Sequence, residues 1–462
     1  MKTRVGLITT MSQDKTWPDE VVAKVRNDHY EAGAALRKLG FDVITASEGL
    51  SRTTSDMERH GRILLNDDIE ALIVYVGTWT YSNVVVNLAS VVGLPVAIWT
   101  NSGNGNIGIV GAAISRGALD EIGIKNTLIH GGFDDAHTLE KIRVWCAGCA
   151  AVTKLKGTTL GVGGSRCMGM YTAHVDASEI KKKFGVDVDG WEQMLLIERA
   201  KAIPDDRARG FLEWMKDEFG GITASENAVL AQIKMYLALS EFIEEKRYDF
   251  VAVKCLPELP ELHTTFCLAH ALLNGSVDAN GPKEPFVCAC EADANGALTM
   301  QMLKNVSGKS VLFADFLSYD AGSGMATLCN CGSHPIDFAC CNKDIYWVKE
   351  GLIEFNWKIG GACPQCVAKP GVMTLSRLSR IDGEYVMLII KGQALEYPRE
   401  KLAEVNPQQP QAFVRLECDP DDFFADLRCN HIHAVYGDYA AELVTMCELL
   451  NVRPIVKSLR KA

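Results

Sequence analysis

Short apolar runs alternate with longer amphipathic stretches through the first third of the chain. RVGLITT (4–10), FDVITA, EALIVYV (70–76), LPVAIWT (94–100) and NTLIHGG (126–132) read as strands. Helical periods fall between them, near 18–39, 55–65, 82–91 and 107–122. This alternation predicts a parallel sheet covered on both faces, and a first α/β domain over residues 1–150. A second set opens at TTLGVGGSRCMGM (158–170). It continues through helical stretches at 191–203 and 225–246, the strands DFVAVKC (249–255) and PFVCACE (285–291), and a helix near 295–305. It predicts a second α/β domain over 151–305. From 306 to 462 the pattern is less regular: SVLFADF, GVMTLSRLSR and EYVMLIIKG are strand-like between Gly and Pro turns, and YAAELVTMCELLNV is an amphipathic helix. No internal repeat or low-complexity linker interrupts the chain.

Two apolar runs end on a lone carboxylate: PFVCACE on Glu291 and SVLFAD on Asp315. A buried carboxylate needs a partner. The residues alone leave two readings. Acidic side chains often cap helices and turns just past buried strands. Ligand sites also gather where such strands end, and both runs imply the same edge. His431 and His433, in NHIHAVYGD, share a strand face, with Asn430 and Asp438 nearby. Two carboxylates and an imidazole suit Mn²⁺ or Mg²⁺ better than Zn²⁺.

Composition narrows the classes. With 462 residues the chain exceeds one core, and 48% hydrophobic with 23% charged residues is ordinary for a globular protein. A net charge of −11 argues against nucleic acid or an anionic membrane as partner. MKTRVGLITT lacks a signal-peptide apolar region and no run approaches a membrane span, so a cytoplasmic protein is expected. The 16 cysteines are scattered and read as reduced, buried thiols.

Other motifs carry less. GNGNIG (103–108) matches GxGxxG, but it follows the fourth strand, not the first, and reads as a loop at the sheet's carboxyl edge. Cys363 and Cys366 have C-x2-C spacing; zinc would need two more ligands, with Cys329, Cys331, Cys340 or Cys341 as candidates, and that spacing is not a usual zinc knuckle, so reduced structural cysteines are expected.

KEPFVCACEADANGALTM, VLFADFLSYD and CNHIHAVYGDYAAELVTMCELLNVRP resemble three blocks of the L-fucose isomerase family, grouped with the L-arabinose isomerases. GGSRCMGM, PVAIWTNSGNGNIGIVGAA and GVMTLSRLSRIDGEYVMLIIKGQA extend the resemblance to each expected domain. It implies three domains: flavodoxin-like, α/β, and a C-terminal domain with a β-barrel-like region. It implies Glu291, Asp315 and His431 as ligands of Mn²⁺ (or Mg²⁺ or Co²⁺), and an aldose–ketose isomerisation through an enediol, with Glu291 and Asp315 also as acid–base groups. It implies a homohexamer, or a trimer or tetramer, with the active site at a subunit contact. Trp79 and the 101–108 loop would then touch the sugar of a neighbouring subunit, with Asn430 and His433 as further substrate contacts.

Asp293 and His433 are understudies for proton transfer; alone, Asp293 reads as a helix N-terminal residue and His433 as a structural hydrogen bonder. Arg166 suits an anionic substituent, so a sulfonated or phosphorylated aldose stands beside a deoxy sugar; its plain alternative is a surface arginine paired with an acid. The chain is shorter than a typical family member, and TFCLAHALLNG replaces a more polar segment, so substrate identity does not transfer. The competing classes are a non-catalytic sugar-binding or regulatory protein, and a metal-dependent aldolase or other lyase.

Overall fold

The computed structural model describes residues 2–14, 16–46, 50–101, 107–330, 332–349, 358–404 and 409–458. Most of the GNGNIG loop, and Cys331, lie outside the described residues. Contacts divide the chain into two compact units: Met1–Lys154 with Val444–Leu449, and Leu155–Leu443 with Leu450–Ala462.

The first unit follows the alternation read from the sequence. Strands β1 (Arg4–Thr10), β2 (Asp42–Thr45), β3 (Ala71–Val76), β4 (Val96–Thr100) and β5 (Asn126–His130) form one parallel sheet, ordered β2-β1-β3-β4-β5. Helices α1 (Asp19–Lys38), α2 (Thr54–Asn66), α3 (Ser82–Val92), α4 (Gly108–Glu121) and α5 (Ala136–Leu155) connect and follow the strands. The period of two sends Leu7, Ile73 and Tyr75 to one face, against α1 and α5. Ile8, Leu72 and Val74 go to the other, against α2, α3 and α4. Thr53 and Asp56 form a capping box at the start of α2. Thr53→Ala is expected to cost about 1 kcal/mol in urea unfolding.

The second unit joins two sheets of different kinds. A parallel sheet, ordered β12-β9-β6-β7, contains β6 (Thr159–Gly163), β7 (Asp187–Trp191), β9 (Phe250–Val253) and β12 (Cys288–Cys290). Helices α6 (Ala177–Phe184), α7 (Gln193–Ala202), α8 (Asp205–Glu218), α9 (Glu226–Lys246), α10 (Glu258–Leu262), α11 (Cys267–Leu273) and α12 (Ala294–Ser307) accompany it. The other sheet closes on itself. Its ring is β17 (Gly371–Ile381), β20 (His431–Tyr436), β13 (Leu312–Asp320), β14 (Met325–Cys329), β19 (Gln411–Leu416) and β18 (Glu384–Ala394), with β18 paired back onto β17. All six ring pairings are antiparallel, and β21 (Arg453–Lys457) adds to β18 in parallel. One face of these strands supplies an apolar cluster that includes Leu312, Ala314, Leu375, Val414, Ile432 and Ala434. Helices α13 (Pro420–Asp426) and α14 (Ala440–Leu449) flank β20 in sequence. A small sheet of β8 (Gly221–Ile222), β15 (Tyr346–Lys349) and β16 (Ala362–Gln365), and a short hairpin of β10 (Val277–Asp278) with β11 (Gly281–Pro282), complete the unit.

Among the described residues every cysteine is a free thiol, and all but Cys340 and Cys341 are buried. Burial pushes the Cys366 thiol up to about 12, as for an inert core group. No helix among the described residues is long and apolar enough to cross a membrane.

Lys283 donates to the carbonyls of Leu273 and Gly275, and its burial lowers its pKa to about 8. The folded protein therefore releases this proton before the unfolded chain does. From about pH 8 to the ordinary lysine range near 10.4, the unfolded state binds more protons, so stability contributed by this residue rises with pH. Urea midpoints of the native protein should climb across that window relative to those of Lys283→Met.

Candidate metal centre

Three elements of the second unit bring the predicted ligands together. Glu291 stands directly after β12, at the carboxyl end of the parallel sheet. Its φ is 58° and that of Ala292 is 49°, so two successive non-glycine residues adopt left-handed backbone. Such residues cost roughly 1–3 kcal/mol each and persist where surrounding structure over-determines them. The turn ends at Asp293, whose side chain caps α12 by accepting from the Gly296 amide at 2.8 Å.

Asp315 does not end a strand, as the sequence reading expected. β13 continues to Asp320, and Asp315 sits within it. The ring is antiparallel, so the rule about carboxyl ends of parallel strands places Glu291 but not Asp315. Cross-strand register places Asp315: it lies directly opposite His431 on β20.

The His431 Nε2 atom is 3.3 Å from Glu291 Oε2 and 3.7 Å from Asp315 Oδ1. One ligand atom from each residue lies within 4.8 Å of the other two. Glu291 Oε2 and His431 Nε2 are buried with no hydrogen-bond partner among the described residues. Buried polar atoms without partners are rare, and two facing one carboxylate fit a shared cation. Asp315 is held from behind: Asn430 Nδ2 donates to Oδ1 at 2.7 Å and Asn330 Nδ2 donates to Oδ2 at 3.1 Å.

Behind His431 lies a second buried layer. Asp293 Oδ2 accepts from His431 Nδ1 at 2.7 Å. Arg377, itself buried, donates to both Asp293 oxygens, at 2.5 and 3.1 Å. It also donates to His433 Nε2 at 3.1 Å and to the Thr172 carbonyl at 3.1 Å. Burial opposes ionisation of Asp293, but the Arg377 charge and the His431 hydrogen bond outweigh it and hold this carboxyl well below the usual range. Burial likewise works against the His431 imidazolium, yet the Asp293 and Glu291 carboxylates raise its pKa well above the ordinary value. Burial and the Arg377 charge lower the His433 pKa well below that value. Once a cation takes the place of the His431 Nε2 proton and both imidazoles are neutral, Glu291, Asp293 and Asp315 against Arg377 leave two net negative charges, the complement of a divalent cation.

Asp293 is thus both the helix cap expected of it and the residue behind His431. His433 shares the face of His431, as its spacing predicted, but points to Arg377 and belongs to neither three-residue group of potential ligands. Asp438 is not beside the pair: it lies past the far end of β20 in an ion pair with Lys391 at 3.0 Å. Trp79 lies in the first unit after β3, its ring edge-on to Tyr81. Arg166 stacks on Tyr171 at 4.6 Å and has no acidic partner among the described residues, contrary to the surface ion pair considered for it. Both groups of potential ligands among the described residues contain His431, so Cys363 and Cys366 join no metal cluster there.

Asn330, Arg377 and Thr172 escaped the sequence reading. Arg377 had a signal: it is the charged residue in the middle of the apolar run MTLSRLS. Asn330 and Thr172 had none, being polar residues in irregular segments.

Two carboxylates and one imidazole, with an orienting carboxylate behind the imidazole, define the donor set of a divalent-cation centre. The chain belongs to the L-fucose isomerase family. The family's first N-terminal domain matches residues 13–157, and its C-terminal domain matches 328–457. His431 and Asn330 fall within the second match; Glu291 and Asp315 fall between the two, and their assignment rests on geometry. A sulfoquinovose isomerase from Alkalicoccus urumqiensis is 24% identical over 336 residues, covering 72% of each chain. Another from Clostridium sp. (strain MSTE9) is 22% identical, covering 74% of this chain and 75% of its own. An L-fucose isomerase from Salmonella arizonae is 22% identical, covering 98% of this chain and 90% of its own. A periplasmic solute-binding protein from Actinobacillus succinogenes with bound D-allose, 14% identical, covers 67% of this chain and 93% of its own at a TM-score of 0.18, too low to support a shared fold.

Proposed function

We propose that the protein is a metal-dependent aldose–ketose isomerase that acts on an open-chain sugar through an enediol. The observation that carries this reading is the facing pair of partnerless buried atoms, Glu291 Oε2 and His431 Nε2, opposite Asp315. Glu291, Asp315 and His431 would hold Mn²⁺ (or Mg²⁺ or Co²⁺). When bound, the cation would supply Lewis-acid polarisation of the sugar carbonyl and offset the negative charge of the enediolate.

The chain's own residues do the rest. No donor among the described residues fixes the Glu291 carboxylate, so we assign it to serve as ligand and base at once, accepting the proton from C2 of the aldose. The C–H electron pair becomes the C1–C2 double bond while the C1 carbonyl pair moves onto O1, which takes up the proton that O2 gives up; return of the abstracted proton to C1, as the O2 electron pair forms the C2 carbonyl, yields the ketose. Asn330 and Asn430 fix both oxygens of Asp315, which holds it as an orienting carboxylate on the other side. Asp293 keeps the Nδ1 proton of His431 in place, so that Nε2 faces the site with its lone pair. Asp293→Asn is expected to weaken Mn²⁺ binding about 10–100-fold in calorimetric titration.

The named relatives act on sulfoquinovose and L-fucose, a sulfonated and a deoxy sugar. We read residues 1–150 as a flavodoxin-like domain, and residues 151–305 and 306–462 as two further domains. We propose a homohexamer, or a trimer or tetramer, in which Trp79 of one chain meets the sugar of its neighbour; sedimentation equilibrium tests the assembly.

Proton NMR in D₂O, with metal-stripped protein and an aldose panel, tests the activity. Ketose formation with deuterium at carbon-bound positions, only after Mn²⁺ is added, is expected. Metal-independent turnover, or carbon–carbon cleavage products in place of a ketose, would sink the proposal.

A further inference from the structure

A pocket of about 260 Å³ lies against the turn that carries Glu291. Ala292 and Ala294 form one wall, while Gly164, Ser165, Arg166 and His174 contribute to the rest. None of its lining residues is acidic. That is notable in a chain with a net charge of −11, next to a turn bearing Glu291 and Asp293.

The other cations of this region are committed. Arg377 serves Asp293, Arg380 donates to the His174 carbonyl and pairs with Glu179, and Lys254 pairs with Glu258. Arg166 pairs with no acid among the described residues. Its guanidinium lies over the Tyr171 ring at 4.6 Å. Stacking of that kind occupies the face of a guanidinium and leaves its N–H edge open, which is the edge that binds a tetrahedral oxyanion through paired hydrogen bonds. The Ser165 hydroxyl and the His174 ring are further polar groups in the same lining.

We infer that Arg166, with Ser165 and His174, forms an anion subsite for the terminal sulfonate or phosphate of an aldose whose reacting end lies at Glu291, Asp315 and His431. The inference rests on the isomerase reading for the sugar, but not for the anion. The chemistry recognised is a tetrahedral oxyanion carried on a sugar, so the preferred substrate is an anionic aldose.

Two measurements on the full Mn²⁺-loaded protein test it. In the first, inorganic phosphate and methanesulfonate are titrated calorimetrically into wild type, Arg166→Ala and Arg166→Lys. Saturable binding by wild type, weakened at least about tenfold in Arg166→Ala and partly restored in Arg166→Lys, is expected. Equal affinities in wild type and Arg166→Ala, or no binding by wild type, overturn the subsite. In the second, kcat/KM is compared for 6-sulfo, 6-phospho and unsubstituted aldohexoses. The ratio of anionic to unsubstituted sugar should fall about 100-fold in Arg166→Ala, and the better anion in wild type distinguishes sulfonate from phosphate. An unchanged ratio refutes the subsite and leaves the isomerase standing. If wild type turns over no aldose, the isomerase reading fails and the anion titration alone decides the subsite.

Discussion

Glu291→Gln is expected to lower turnover at least about 10³-fold while leaving the circular dichroism spectrum and the unfolding midpoint of the metal-free protein close to those of the metal-free native protein. Two effects combine. The amide removes the charge that a cation at this site would neutralise, and it removes a carboxylate oxygen that, among the described residues, has no competing donor and can take a proton. The fold tolerates the change because Gln is isosteric, and because the Glu291–Ala292 turn is set by the cap of Asp293 on α12 and not by the Glu291 side chain. Asp315→Asn should be nearly as damaging, since its two asparagine donors would then face an amide. Turnover within tenfold of native by Glu291→Gln would show that the proton acceptor lies elsewhere.

Arg377→Met is expected to destabilise the second unit by about 3–5 kcal/mol, the cost of stranding a buried carboxylate. Asp293 is fully buried, and among the described residues Arg377 is the only charged donor on it apart from the His431 imidazole. His433 Nε2 and the Thr172 carbonyl lose a donor at the same time. Asp293 would recover neutrality by taking a proton, so the variant should recover part of its stability as pH falls, whereas native Asp293, held well below the ordinary range, contributes stability that fades only in strong acid. Urea unfolding of native and variant protein at several pH values would measure both effects. A loss below 1 kcal/mol at neutral pH would mean that water reaches this layer.

Much of this arrangement is legible along the chain because local period carries it. Tight alternation marked all five strands of the first sheet, and the apolar runs with their closing carboxylates singled out Glu291 and Asp315. What local pattern does not carry is pairing. Nothing in VLFADFLSY says that Asp315 sits opposite His431, because that register joins residues more than a hundred positions apart. The same nonlocality hid Asn330 and Thr172, which become meaningful only when the ring closes. It also misplaced Asp438, which neighbours the histidines in sequence but is separated from His431 by the whole length of β20. The short span of β12 was masked by its flank: Pro285 and Phe286 are apolar too but precede the strand, which spans only Cys288–Cys290.

The three candidate ligands come from the end of β12, the middle of β13 and the start of β20, which belong to two separate sheets. A bound cation would therefore act as a clasp between sheets, and its binding free energy would add to the stability of the whole unit. Emptied, the clasp leaves two carboxylates crowding one imidazole. Cells short of the metal would then lose more than catalytic turnover. The unfilled chains would open more often, and quality-control proteases would clear them, so that the amount of enzyme present would follow the supply of its ion.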